Sequence, residues 1–79
     1  MDIIRCIDIF YTENVDRISK FDLYKILKQN DKNFSYYRLK KTFTKLKDTG
    51  VLKPTPYKNE FIFNKVRKIR KPPFILEFE

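Results

Sequence analysis

From Asp2 to about Asn14 the chain places Ile3, Ile4, Ile7, Phe10 and Tyr11 at helical spacing, with Asp2, Arg5, Asp8 and Thr12 between them. That period predicts a first amphipathic helix. Val15 to Ser19 reads as a connector whose β-branched Val15 and Ile18 suit a short strand. Ser19 and Asp22 then stand as a capping box, with Asp in the usual Glu place. A second helix is predicted from Lys20 to about Gln29, its stripe made of Leu23, Ile26 and Leu27 with Phe21 or Tyr24 at the edge. Asn30 to Asn33 is a run of turn formers that compete with helix through their own backbone contacts.

Ser35 is the expected N-cap of a third helix, 36–48, with Leu39, Phe43 and Leu46 on one narrow apolar face. Gly50, the chain's one glycine, ends it, because glycine takes the left-handed conformation without a steric cost. Beyond Gly50 the period becomes extended. Val51 to Lys53 and Phe61 to Phe63 predict two strands, and Pro54 and Pro56 belong in the loop between them or at a sheet edge. Val66 to Lys71 is a basic segment broken by Pro72 and Pro73, and Phe74 to Phe78 reads as a last strand that docks on the domain or on a partner.

The order helix, short strand, helix, turn, helix, glycine, strand, loop, strand resembles the winged-helix family of helix-turn-helix proteins. The stretch from Leu39 to Lys53 is similar to the end of that family's recognition helix and its entry into the wing, with Leu46, Val51 and Leu52 in the core-closing places. The resemblance spans roughly residues 2–65 and is one of residue types rather than a signature motif. It implies an α+β winged helix-turn-helix fold, three helices with a small two- or three-stranded antiparallel β-wing. The organisation expected is a domain over residues 1–65, with 66–79 a basic segment and strand or tail packed on it.

A helical wheel gives a functional reading independent of the family. With Leu39 at zero and about 100° per residue, Tyr37, Lys41, Thr44 and Lys45 fall within about 60° of the opposite side, flanked by Arg38 and Lys40. Such a face suits the major groove, where cations reach phosphates or guanine and hydroxyls reach base edges. It is equally the composition of a solvated helix face. Lys53, Lys58 and Lys65, with Tyr57 and Asn59 at the loop tip, would add donors beside the duplex, or form an ordinary polar hairpin. Tyr36 and Tyr37 suit phosphate contact or stacking on unpaired bases, with one of the pair packing toward helix two instead.

Charge sharpens this picture by its placement. The net charge is +8, yet residues 1–31 carry five basic against six acidic side chains, and residues 72–79 add Glu77 and Glu79. Residues 32–71 carry thirteen basic side chains against Asp48 and Glu60. A segregated positive field attracts polyanions and gains from counterion release. Arg67, Lys68, Arg70 and Lys71, next to Lys65, are the densest part; they read as an arm following DNA or as a solvated strand with Val66 and Ile69 turned inward.

The expected partner is therefore double-stranded DNA, with RNA, single strands or an acidic protein surface as alternatives, and the expected role a transcriptional regulator or replication accessory. A winged-helix interaction module that inhibits a nucleic-acid enzyme is the reading from another class. The composition, rich in Lys, Asn, Ile, Phe and Tyr, fits an AT-rich gene such as a viral or mobile-element one. Catalysis finds no footing: the chain has no His to act as a base, no Gly-rich phosphate loop and no ligand spacing among its acids. No cofactor or metal is expected, and the lone Cys6 is expected to pack as a small apolar residue. No leader or membrane span is evident, so the expectation is a soluble intracellular protein, cytoplasmic or nuclear. A homodimer through helix one or Phe74 to Phe78 would supply two half-sites.

Overall fold

The computed structural model describes residues 2–70 and 75–78. Its elements are α1 (Ile3–Thr12), β1 (Arg17–Ser19), α2 (Lys20–Asn30), α3 (Tyr36–Asp48), β2 (Leu52–Pro54), β3 (Glu60–Phe63), β4 (Val66–Arg70) and β5 (Ile75–Phe78). The architecture is α+β: three helices packed with antiparallel strands, with β2 and β3 forming a hairpin after α3.

Each helix begins where the sequence offers a side-chain acceptor for its orphan amides. Asp2 accepts from the Arg5 amide at 2.8 Å, Ser19 from Asp22 at 3.1 Å and Ser35 from Arg38 at 3.3 Å. The ends are equally specific. After α1, Asn14 takes φ +53°, its amide donates to the Tyr11 carbonyl and the Val15 amide donates to Phe10. That is a Schellman closure with Asn in the left-handed position. After α3, Gly50 takes that position at φ +82°, its amide on the Lys47 carbonyl.

β3 is the centre of a three-stranded sheet in the order β1-β3-β2, with Ile18 opposite Phe61 and Leu52 opposite Phe63. Pro54 lies at the end of β2, an edge strand, where its missing donor costs no ladder bond. The second sheet is the β4–β5 hairpin, with Val66 opposite Phe78 and Arg70 opposite Ile75 and a bulge between Val66 and Lys68. Val66 to Arg70 is thus a strand rather than a free arm. Lys71, the Pro72-Pro73 break and the Phe74 start of the expected last strand lie outside the described residues.

The core runs through all these elements. Phe10, Leu23, Leu27, Phe34, Leu39, Leu46, Val51 and Leu52 are buried, and Ile69, Leu76 and Phe78 pack against them. The expected stripes are buried or half-buried except at Tyr11, and Cys6 is buried as expected; Ile9, Thr42 and, in the turn before α3, Phe34 are buried as well. Tyr11 sits at the rim instead, its ring edge-on to Phe63 at 5.1 Å and its hydroxyl donating to the Val66 carbonyl at 2.7 Å.

Candidate nucleic-acid interface

α3 is held from one side only, which leaves the opposite side open. Leu39, Thr42, Phe43 and Leu46 face the core, while Tyr36, Tyr37, Arg38, Lys40, Lys41, Thr44 and Lys45 are all exposed. None of the α3 cations, Lys47 included, forms an ion pair with a carboxylate among the described residues. Lys41 lies over the Tyr37 ring at 5.1 Å, an attraction that orders two neighbours on the outward face. The Thr44 hydroxyl donates to the Lys40 carbonyl at 3.0 Å, so only its lone pairs remain for an outside donor.

The β2–β3 hairpin is fixed against α3 by aromatic packing. Phe61 meets Phe43 edge-on, 4.7 Å between centroids, and Lys47 and Lys20 lie 4.9 Å and 5.4 Å from the Phe43 ring centre. The corner between α3 and the hairpin is tied by Asn64, whose amide donates to the Val51 carbonyl at 2.8 Å and whose side chain donates to the Gly50 carbonyl at 3.2 Å. Lys53 is exposed on β2 and Lys58 in the loop. That loop is organised by Thr55: its hydroxyl accepts from the Tyr57 amide and lies 3.1 Å from the Tyr57 and Glu60 carbonyls, to one of which it donates. Asn59, at φ +66°, occupies the left-handed region that Asn tolerates better than most residues.

The remaining basic residues are placed differently. Lys65 lies 3.7 Å from Asp16, and Arg67 and Arg70 both reach Glu77, at 3.5 Å and 2.6 Å. Lys68 is exposed but registered opposite that same glutamate. Lys71 lies outside the described residues.

One feature of the surface escapes the sequence pattern, and another gives the expected packing of one tyrosine toward α2. Phe21, expected at the edge of a buried stripe, is 67% exposed, and Tyr36 is 65% exposed even though its ring stands edge-on to Tyr24 of α2 at 5.8 Å. Both line a cleft where α2, the start of α3 and the hairpin loop converge. Lys20, Phe21 and Tyr24 thereby line a separate cleft beside the loop-tip Asn59, and Lys47 joins the exposed cations of α3. Phe21 and Tyr24 already sat at the stripe's edge, the only hint that either points outward.

Cys6 is buried in α1, and burial pushes its thiol up from 9.0 to about 11, so at neutral pH it is a packed, protonated side chain. Among the described residues no group of three or more His, Cys, Asp or Glu side chains is arranged to hold a metal ion. No described helix is long and apolar enough to cross a membrane. No protein-family model, curated protein or solved structure matches the chain.

Proposed function

We propose that the chain is a winged-helix protein that binds double-stranded DNA, with α3 as the recognition helix in the major groove and the β2–β3 hairpin as its wing. One observation carries this reading: the outward face of α3 presents Arg38, Lys40, Lys41 and Lys45, exposed and without a carboxylate partner among the described residues. A row of unpaired cations raises the local potential and is relieved by a polyanion, with counterion release adding to the gain. The order of elements and the sheet order β1-β3-β2 support the winged-helix assignment. In it Lys41 and Lys45 hold phosphates, Arg38 and Thr44 are the residues nearest base edges, and Lys53 and Lys58 follow the flanking backbone. Such a protein would serve as a transcriptional regulator or replication accessory, and Lys65, Arg67 and Arg70 contribute less because the fold supplies them with carboxylates, with Lys68 beside them in register opposite Glu77.

The test is an anisotropy titration of the whole chain against a random-sequence duplex at low salt, repeated as salt rises. Binding that weakens linearly in log–log form is the expected result. No binding at micromolar protein would overturn the proposal and favour an acidic protein partner. Selection from a random duplex pool then separates a sequence reader, which enriches a motif, from a binder of backbone alone.

A further inference from the structure

The cleft between α2, the start of α3 and the hairpin loop gathers three aromatic rings, Phe21, Tyr24 and Tyr36. It measures about 290 Å³, near the lower bound of roughly 300 Å³ typical of small-ligand sites, and its floor reaches the buried Leu39. Its walls are rings. Tyr24 is anchored from inside by the fully buried Phe34, 6.2 Å between centroids, and Tyr36 stands against it at an interplanar angle of 83°. Phe21, on the same cleft, leaves most of its surface in water, and Lys25 lies 5.1 Å from its ring centre. Asn59 brings an exposed amide to the opposite rim on a loop already ordered by Thr55.

We propose that this cleft takes one unpaired nucleobase, at the end of a duplex or at a junction, stacked against Phe21 and Tyr36 and met on its edge by Asn59. The ligand class follows from the residues together. Aromatic faces accept any base by stacking, an amide both donates and accepts on a base edge, and cations hold the phosphate the nucleotide carries. Lys20 lines the cleft, Lys25 adjoins it, and none of the residues lining it is acidic. An apolar peptide side chain would bury the rings equally well but leave the cations and the amide without a purpose. The proposal rests on the duplex-binding reading for the cations of α3 that would hold the adjoining helix, and it adds a preference that the reading does not contain.

The experiment compares three fluorescent probes on the intact chain: a blunt duplex, the same duplex with a short single-stranded overhang, and the overhang strand alone. The overhang carries 2-aminopurine at its first unpaired position. Overhang duplex should bind about 5-fold to 100-fold more tightly than blunt, with quenching of 2-aminopurine as its base stacks. Phe21→Ala should remove that preference and the quenching while leaving blunt-duplex affinity and the unfolding midpoint unchanged, because Phe21 is 67% exposed. Tyr36→Ala is a second variant that should likewise remove the preference and the quenching. Equal affinity for blunt and overhang duplex would overturn the cleft proposal and leave duplex binding standing. Binding of the single strand that depends on Phe21, without binding of blunt duplex, would support the cleft and overturn the duplex reading. Failure to bind any probe would overturn both and leave the cleft to an apolar peptide.

Discussion

Helix α3 and the β4–β5 hairpin are both strongly basic, and by sequence the hairpin is the more concentrated: Lys65 to Lys71 holds five cations in seven residues. The fold reverses that ranking. Glu77, on the strand opposite, reaches Arg67 and Arg70 and is registered against Lys68, whereas no described carboxylate reaches the cations of α3. Two blocks of like charge thus differ in what a polyanion would find. Charge density along a chain measures what is present; the carboxylate brought across by a strand pairing decides what is available. These surface pairs add little stability, about 0–1 kcal/mol each when exposed, so their consequence is chiefly for binding.

The largest effect should come from stripping the open block. Replacing Lys41 and Lys45 by Ala should remove the two proposed phosphate contacts, flattening the salt dependence by about 2 log units per log of salt and weakening binding on the order of 30-fold at ~0.15 M salt. An unchanged slope in the titration would remove α3 from the interface. Next is Gly50→Ala, at the joint between the two blocks. The new Cβ would meet the Phe78 ring at 3.6 Å, ordinary contact, so the cost is the left-handed backbone, about 1–2 kcal/mol in urea unfolding. Phe78→Ala in that background should not restore the loss; if it does, the joint is limited by packing.

Tyr11→Phe keeps the ring against Phe63 but removes the bond to the Val66 carbonyl, and should cost about 1 kcal/mol of stability with no change in salt slope. A changed slope would show that the hairpin's seating governs binding. The smallest effect sharpens the comparison most. Glu77→Gln makes the hairpin resemble α3 by releasing Arg67 and Arg70, so binding should tighten by a few-fold and the slope steepen by less than about 1. If Glu77→Gln alters neither, pairing is not what sets the two blocks apart.

Most of the fold was legible because its signals are local. Ser19, Ser35 and Gly50 mark helix ends through their own backbone chemistry, and the stripes of α2 and α3 repeat within a few residues. What was not legible depends on distant partners. Phe34 lies in a polar turn and shows no period, yet it is fully buried beneath Tyr24. Thr42 lies only about 60° from Leu39 on the wheel and is buried by proximity. The pairing of Arg67 and Arg70 waited on the strand register, and the ring-lined cleft on the convergence of three segments far apart in sequence. The outward face of α3 needed only the wheel.

Asn64 has a mechanical meaning that its two hydrogen bonds, to Val51 and Gly50, do not state by themselves. Asn64 ties the base of the hairpin to the end of α3, so a change in the angle between them would cost both bonds. With α3 seated in a B-form major groove and the hairpin on the adjoining backbone, as proposed, the pair would not fit A-form RNA, whose major groove is deep and narrow. Gauge, rather than letter-by-letter reading, would then tell one double helix from the other.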